Sequence, residues 1–454
     1  MAAIATPTLA LSSDETALIQ ELQQKINWHR PRDIKMERQY EGRQRLQAMG
    51  LAVPPELAGF ETIINWNRVV VDEVERRKDI RAWYMPGEEE PSEDLMLAFQ
   101  QNNLDSEAPL LHRQKLIIGR GAASVSTDPD GGDPLIVVES ARELAFKIDV
   151  RTRRVTAALR LYNEPGAFFM YTMGTLYLPN ETIFLERKAG GSWRVERRDE
   201  HKLGRVSLVP FLNRRQIGKW HGESEMTDVI PIVDAAARSM TNLQLAQETH
   251  AVPTRAVLGI SKGDFVDKDG NPLPVWEAYF DRFMATANKD AKIEQLDASD
   301  LKNFETTFNL YAHAVASVTG MPVRYFGQNP ANPAAEGAII ADEIRLIKHV
   351  ERDNTEDGDR WADVAALWYR FKTGKWPAGR IATEWFDPAT PTFAQRADAL
   401  QKLAGGRPVV SREGVWHELG WSEARKQRER DWFDAEARDP QIEAAMRVFD
   451  APGG

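Results

Sequence analysis

Two long helical patterns, separated by a stretch bounded by prolines and followed by a third helix, constrain the fold most. They occupy residues 228–374. The first pattern repeats apolar residues at spacings of three and four, as one face of an amphipathic helix does: Val229, Val233, Ala236, Met240, Leu243 and Ala246. The second repeats them at heptad spacing: Leu301, Phe304, Phe308, Tyr311, Val315 and Val318. Such a seam is typical of a helix that packs against other helices.

Residues that helices rarely continue through mark the ends of both patterns. Pro253 lacks the N–H that another turn would need, so the first helix is predicted to end near it. Asp297 and Ser299 are candidate N-caps of the second helix, and Gly320 followed by Pro322 predicts its end. The stretch between the two helices, 253–297, contains a strand-like segment and an Asp-Gly turn. It predicts a small polar excursion from the helix pair.

A third helix is predicted from Ala335 to Phe371, with a kink at Gly358. Its apolar face consists of Ile340, Ile344, Ile347, Val350, Trp361, Ala365, Trp368 and Phe371. The tail from Thr392 is predicted as four short helices, of which the first ends at Gly405 and the others span 411–419, 422–437 and 440–449.

The beginning of the chain also predicts helices. Ser12 and Glu15 have the capping-box spacing, and an apolar face follows them. Pro31 is predicted to open a second helix that reaches Met49. A third helix is predicted over 63–84, with Trp66, Val70 and Val74 facing inward, and a fourth over 93–103.

From Gln114 the pattern changes to short β-branched and aromatic runs divided by Gly, Pro, Asn and Asp. These runs predict an antiparallel or mixed sheet that ends at Pro210. Because the strands lie together among helices and do not alternate with them, the predicted fold class is α+β. The runs are KLIIG, PLIVVES, VTAALRLYN, AFFMYTMGTLYL, ETIFLERK, SWRVERRDE and GRVSLVPFL.

Composition excludes several classes of protein. The 454 residues include no cysteine, which excludes disulfides, thiolate nucleophiles and cysteine-based zinc sites. The net charge of −10 does not favour tight binding of nucleic acid over the whole surface. No signal peptide is visible and no apolar run approaches the ~20 residues that a membrane helix needs, so we expect a soluble cytoplasmic product with no membrane partner.

A search for catalytic motifs finds none that is complete. IIGRGAAS at Ile117 resembles a phosphate loop but lacks the third glycine, and no Walker A motif is present. Asp-Gly turns account for the acidic segments at Asp128 and Asp267 more simply than metal binding does. The eight histidines form no metal motif, and a helix N-terminus accounts for the segment from His221 to Glu225. We therefore expect no catalytic residue, no metal and no cofactor.

Three ordered segments carry a resemblance to a known family. They are NRRQIGKWHGESEMTDVIPIVDAAARSMTNLQLAQETHAVPTRAVLG, DLKNFETTFNLYAHAVASVTGMPVRYFG and NPAAEGAIIADEIRLIKHVERDNTEDGDRWADVAALW. In this order they resemble the portal proteins of tailed bacteriophages, particularly the Gp6-like branch from siphophages of actinobacteria. KIDVRTRRVTAALRLYN is similar to the same branch, so the resemblance covers about 63–376 and, more loosely, the tail.

The resemblance implies a helix-rich portal fold in a ring, commonly of twelve subunits, at one vertex of a capsid. It implies an N-terminal helical segment (1–62), a wing (63–225), a first stem helix (226–252), a clip (253–297) and a second stem helix (298–320). It also implies a turn with a tunnel loop (321–336), a long bent wing helix with its return (337–391) and a crown (392–454).

The resemblance also assigns roles to individual residues. The residues that it assigns to packing of the stem are Met240, Leu243, Phe304, Phe308 and Tyr311. Those that it assigns to partner binding by the clip are Arg255, Lys262, Lys268, Val275 and Trp276. Those that it assigns to the channel-facing loop are Gln328, Asn329, Asn332 and Glu336. The implied partners are other copies of the chain, the major capsid protein, the terminase large subunit, a head-to-tail adaptor and double-stranded DNA passing without sequence preference. The resemblance further implies that the subunits assemble in the host cytoplasm and that the ring is part of the virion.

Two other classes stay open from the residues alone. Another capsid or head-to-tail connector protein would also be an acidic ring former without cysteine, but such proteins are usually far shorter. A DNA-processing enzyme is the less favoured class, because it would need a motif that the sequence lacks.

Overall fold

The computed structural model describes residues 10–44, 62–163, 171–188, 191–251, 255–258, 292–295, 302–328, 336–389, 393–405, 408–419, 421 and 423–437. The chain divides into two compact units, Met1–Pro388 and Ala389–Gly454. The predictions for Met49, Asp297, Ser299 and 440–449 lie outside the described residues.

The first unit combines helices and antiparallel strands. Its helices are α1 (Ser13–Glu41), α2 (Trp66–Glu75), α3 (Glu93–Gln101), α4 (Leu104–Ile118), α5 (Ile230–Ala251), α6 (Lys302–Thr319) and α7 (Glu336–Thr373). Its strands are β1 (Ile80–Tyr84), β2 (Arg120–Ser126), β3 (Leu135–Glu139), β4 (Leu144–Ile148), β5 (Val155–Tyr162), β6 (Met173–Tyr177), β7 (Thr182–Glu186), β8 (Arg194–Asp199), β9 (Leu208–Leu212), β10 (Arg255–Leu258), β11 (Lys292–Gln295) and β12 (Ala382–Trp385).

Helix α1 begins as the capping-box spacing predicts. The Ser12 hydroxyl accepts a hydrogen bond from the Glu15 N–H, and the Glu15 carboxylate accepts one from the Ser12 N–H. The prediction that Pro31 opens a separate helix is wrong, because α1 continues through it to Glu41. Pro31 is exposed, whereas Ile26 and Asp33 on either side of it are buried. Packing of the two halves of α1 therefore outweighs the cost of a proline inside a helix, typically about 3 kcal/mol.

The helix predicted over 63–84 is half right. Helix α2 buries Trp66, Val70 and Val74 as expected but ends at Glu75, and Ile80–Tyr84 forms strand β1. Strand β1 pairs antiparallel with β12, from Ile80 opposite Trp385 to Tyr84 opposite Ala382. Its conformation therefore depends on a partner about 300 residues away in sequence, which a local pattern does not reveal.

The strand predicted at KLIIG is wrong, because these residues are the last turn of α4. Gly119, with φ of 97°, ends this helix, and β2 follows at once and is buried. A glycine that makes this segment resemble a phosphate loop, Gly119, is therefore explained by packing. A Cβ atom on Gly222 would lie 1.7 Å from the Gly119 carbonyl oxygen, so the two glycines allow two backbone segments to cross.

The predicted single sheet is two antiparallel sheets in the described part of the chain. Strands in the order β3-β2-β9 form one, and β4-β5-β6-β7-β8 form a meander. One face of the meander packs on the first half of α1 through Ile19, Leu22 and Ile26. A second hydrophobic cluster, which includes Ala158 and Tyr177 of the meander and Leu208 of β9, joins the meander to the three-stranded sheet. This layering is α+β, as predicted.

The second half of α7 lies in the main aromatic core of the first unit. Trp361 and Trp368 from α7 meet Trp83, Phe99 and Phe211 from the surrounding elements. Gly358 faces β12: the Thr383 hydroxyl donates to its carbonyl oxygen, and a Cβ atom there would come within 3.0 Å of Trp385 Nε1. Close packing against β12 therefore accounts for this glycine.

The second unit is described by itself. It contains α8 (Phe393–Ala404), α9 (Arg412–Glu418) and α10 (Glu423–Ala437), in agreement with three of the predicted short helices. Trp416 is buried and stacks with Trp421 and Phe433 at centroid distances of 6.0 and 5.9 Å. Arg430 forms a bidentate pair with Glu413, with both N–O distances 2.8 Å.

Candidate functional site

Helices α5 and α6 pack against each other and share a buried base. At that base Val233 and Ala236 of α5 meet Ala312 and Val315 of α6 in a cluster with Trp66 of α2. The helices continue from the base toward β10 and β11, which pair antiparallel from Arg255 opposite Gln295 to Leu258 opposite Lys292. The helix pair therefore carries an excursion whose first and last described segments pair with each other.

The five residues assigned to stem packing differ in their surroundings. The Phe308 ring lies 4.9 Å from the Trp66 ring, and Phe308 and Tyr311 pack against the buried base. Met240, Leu243 and Phe304 are half-buried in the single chain. On the outer face of α6, Leu310 is 66% exposed and Val318 is 52% exposed. Helix α6 therefore has apolar residues both on the face that the chain covers and on a face that the chain leaves exposed.

Most residues assigned to the clip and the channel loop lie outside the described residues: Lys262, Lys268, Val275, Trp276, Asn329 and Asn332. Arg255 is the first residue of β10, and Glu336 is the first residue of α7. Gln328 Nε2 donates to Asn309 Oδ1 of α6. The segment that contains Asn329 and Asn332 therefore starts from a residue bonded to α6 and leads directly into α7.

A network that we name the turn clamp, Arg77, Arg324, Tyr325, Asp342 and Glu343, joins the turn after α6 to the start of α7. Arg324 donates to Asp342 Oδ2 at 2.6 Å and also to Glu343. The Tyr325 hydroxyl donates to Glu343 Oε1 at 2.6 Å and accepts from Arg77 Nη2 at 3.0 Å. Burial, and then the hydrogen bond to Glu343, raises the pKa of Tyr325. The clamp fixes both flanks of the segment 329–335 to the folded unit.

Four buried charges, which we name the ionic tetrad, hold the middle of α7. Lys78 Nζ lies 2.5 Å from Asp353 and 2.9 Å from Asp357; Lys115 Nζ lies 2.5 and 2.8 Å from the same two carboxylates. All four side chains are buried. Burial alone would lower the pKa of Lys115 and raise that of Asp353, but the opposite charges shift both the other way, so the charged forms persist.

The tetrad borders an unusual histidine. His112 is fully buried, and Trp361 Nε1 donates to its Nε2 at 2.9 Å. Burial, and then the Lys78 charge, lowers the pKa of His112 to about 3. The ring is therefore neutral at physiological pH, and its proton lies on Nδ1, which has no partner among the described residues.

A second polar contact ties α7 to the entrance of α5. His349 Nε2 of α7 lies 3.2 Å from Glu225 Oε1, and Asn213 Nδ2 donates to Glu225 Oε2 at 3.0 Å. The contact with Glu225 has the largest effect on the pKa of His349 and raises it. Burial alone would raise the pKa of Glu225, but His349 and Asn213 lower it overall. The pair connects α7, the end of β9 and the start of α5.

The sequence predicts neither the turn clamp nor the tetrad. A signal for the tetrad was present, because Asp353 and Asp357 continue the inward face that runs from Val350 to Trp361. Acidic residues at inward positions of a helix require buried cationic partners. The partners themselves lie elsewhere, Lys78 on the turn after α2 and Lys115 on α4, and no local pattern points to them.

Two further properties concern the part of the chain that the structure describes. No helix there is long and apolar enough to span a membrane. No group of three or more His, Cys, Asp or Glu residues there is arranged to hold a metal ion.

Comparison with known proteins identifies the class. The family model "Phage portal protein, SPP1 Gp6-like" matches residues 20–441. The chain belongs to this family of phage portal proteins. It is 35% identical over 411 residues to the portal proteins of Mycobacterium phages D29 and L5, and each match covers 88% of this chain and 84% of the relative.

Solved structures are more distant. A chain from "Neck of empty GTA particle computed with C6 symmetry" has a TM-score of 0.48 and 14% identity, covering 86% of this chain and 93% of that chain. A chain from "Virion of native gene transfer agent (GTA) particle" has a TM-score of 0.46 and 15% identity, with the same coverage.

Membership of the family confirms the resemblance to Gp6-like portals that the sequence predicted. It also confirms the predicted function, a portal protein that forms an oligomeric ring at the capsid vertex of a phage virion. The α+β portal fold is confirmed as well. The portal family is a family of structural proteins.

Proposed function

We propose that twelve copies of this chain form the channel through which DNA enters and leaves the capsid. The α5–α6 pair carries the proposal. Its base is buried within one chain, whereas the residues farther along present half-buried and exposed apolar side chains, including Phe304 and Leu310. In a ring, the α5–α6 pair of the neighbouring subunit packs against these apolar side chains and buries them.

Each region receives a role in this proposal. Helices α5 and α6 act as the stem, the excursion that begins and ends with β10 and β11 as the clip, and the second unit as the crown. The two sheets, α2 to α4 and α7 act as the wing, beside the major capsid protein. The clip meets the terminase large subunit during packaging and the head-to-tail adaptor afterwards, and subunits assemble in the host cytoplasm.

Electron microscopy of the purified chain tests the ring directly. We expect annular particles with twelvefold symmetry, and native mass spectrometry should give twelve times the 51.3 kDa subunit mass. Purified protein that remains monomeric at all concentrations would contradict the proposal.

The channel role of 329–335 is tested by charge. The sequence has no Lys or Arg between Phe326 and Arg345, so contacts with DNA there lack phosphate pairing. Lysines at Asn329 and Asn332 should slow packaging and leave assembly intact, whereas a lysine at exposed Gln24 on α1 should leave both unchanged. Normal packaging with both lysines in the loop would place this segment away from the channel.

The clip role is tested separately. Polar residues in place of Val275 and Trp276 should leave the ring intact and weaken binding of the terminase or adaptor, measured with purified partners. Loss of the ring itself would show that these residues belong to the assembly core.

A further inference from the structure

A cleft of about 810 Å³ lies between the β4–β5 hairpin and α7. Besides Arg360, which pairs with Asp363, four arginines line it: Arg153, Arg154, Arg205 and Arg215. None of the four forms an ion pair with a carboxylate among the described residues, although Arg205 and Arg215 lie over the rings of Trp376 and Trp220. We name this feature the arginine cleft.

The opposite wall of the arginine cleft is acidic, but its charges are largely engaged. Asp359 pairs with Arg380 at 2.5 Å, and Asp363 pairs with Arg360 at 3.2 Å. The unpaired charge in the cleft is therefore mainly positive. A duplex would bring its phosphates against this acidic wall, whereas a short acidic peptide can place carboxylates on the arginines and its N–H groups toward the wall.

The β4–β5 turn presents its arginines in a fixed conformation. Asp149 Oδ1 accepts hydrogen bonds from the N–H groups of Arg151 and Thr152, at 2.7 and 3.0 Å. Arg153 has φ of 59°, in the left-handed region where glycine is unstrained. An arginine at a position that favours glycine is consistent with a role for its guanidinium beyond the turn.

The chain itself offers an acidic segment of matching charge. Glu88, Glu89 and Glu90 follow β1 and are exposed, and none of them has an ion-pair partner in the described ranges. The turn at Gly87, with φ of 83°, holds them, because the Glu88 N–H donates to the Met85 carbonyl at 3.1 Å. We name Glu88 to Glu90 the acidic loop.

The arginine cleft and the acidic loop flank the same stretch of α7. Asp359 and Asp363 of α7 line the cleft, while Gly358 contacts β12, which pairs with the strand preceding the acidic loop. The two features form no ion pair with each other within one chain. In a ring, each subunit meets its neighbours through two different and complementary surfaces.

We propose that the acidic loop of one subunit occupies the arginine cleft of the next subunit around the ring. This inference rests on the proposed ring. Its partner is a second copy of this chain, recognised by three carboxylates on four guanidinium groups that form no ion pair among the described residues. The contact sets which surfaces meet and in which direction the ring closes.

Charge reversal tests the pairing. Arg153→Glu with Arg154→Glu makes both surfaces acidic, and Glu89→Arg with Glu90→Arg makes both basic. Each variant alone should raise the protein concentration for half-maximal ring formation at least about tenfold, measured by mass photometry at low salt. An equimolar mixture should restore rings, because alternating variants place opposite charges at every interface.

Three controls separate the pairing from other causes. Arg194→Glu with Arg428→Glu makes the same change in net charge at other exposed positions and should leave rings intact. Arg153→Gly relieves the left-handed conformation, so it should keep or raise the thermal stability of the subunit while weakening the ring. Circular dichroism of each variant checks that the subunit is folded.

Several outcomes would overturn the inference. Rings that form normally in both reversed variants, or a mixture that does not restore them, would show that the two surfaces do not meet. Intact rings with reduced binding of duplex DNA by the arginine variant would assign the cleft to nucleic acid. A wild-type chain that forms no ring would instead contradict the proposed function.

Discussion

The middle of α7 and the α5–α6 pair are stabilised in opposite ways. Around α7, the ionic tetrad and five aromatic rings are buried within one chain. Along α5 and α6, burial is complete only at the base, and beyond it Phe304 is half-buried and Leu310 is exposed. The difference separates what one subunit needs in order to fold from what the assembly needs in order to close.

The largest expected effect is on the tetrad. Asp357→Ala leaves Lys78 and Lys115 facing a single carboxylate in a buried site, so the free energy of unfolding should fall by about 3–5 kcal/mol. Urea denaturation of the isolated subunit measures it. Lys348→Ala, which removes an exposed ion pair on the same helix, is the matched control and should cost less than about 1 kcal/mol. Equal effects of the two substitutions would show that the buried tetrad stabilises the subunit no more than an exposed ion pair does.

The next effect divides Phe308 from Phe304. Phe308→Ala removes the ring beside Trp66 and should lower the free energy of unfolding of the subunit by about 1–3 kcal/mol, less than for a fully buried ring. Phe304→Ala should cost the single subunit clearly less, yet both should weaken the ring in native mass spectrometry. A ring of unchanged stability in both variants would show that this seam is not an interface.

A smaller effect depends on pH. Glu225 raises the pKa of His349 above its ordinary value of about 6.5, so the stabilisation is fully present below about pH 6.5 and is lost as the pH rises through the folded-state pKa. The Glu225 pKa is lowered, so its share is lost only as the pH falls below about 4.3. His349→Gln should therefore cost most stability between about pH 4.5 and 6.5 and little at pH 8.5. Thermal melts of both proteins across this range give the difference, and a constant difference would exclude the ion pair as its cause.

The smallest expected effect on the subunit comes from its exposed apolar face. Leu310→Ser should change the free energy of unfolding by no more than about 0.5 kcal/mol, because Leu310 is 66% exposed. The ring should nevertheless form less readily, as analytical ultracentrifugation over a concentration series would show. Identical assembly of the variant would leave this face without a partner.

How well the sequence predicts this fold depends on whether the information is local. The capping box at Ser12, the heptad helix ending at Gly320 and most of the strands are local patterns, and the structure agrees with them. The predictions for strand β1 and for the end of helix α4 are wrong. Strand β1 exists because β12 pairs with it, and α4 ends in an apolar β-branched run that resembles a strand when read alone.

The candidate site shows the same limit. The heptad spacing places Phe308 and Tyr311 at the buried base, but it cannot distinguish the face covered within the chain from the face left exposed. The turn clamp joins Arg77 to Tyr325 and Glu343, which lie far from it in sequence. Such contacts follow from the tertiary fold, and residue spacing does not encode them.

The pairing of β1 with β12 has a consequence for synthesis. The nascent chain cannot close this two-stranded sheet, or neutralise Lys78 with Asp353, until roughly 300 further residues have left the ribosome, which takes about 15–60 s at ~5–20 residues per second. During that time strand β1 has no partner strand and Lys78 has no carboxylate partner from α7. A subunit therefore completes this part of its fold only after translation has passed β12.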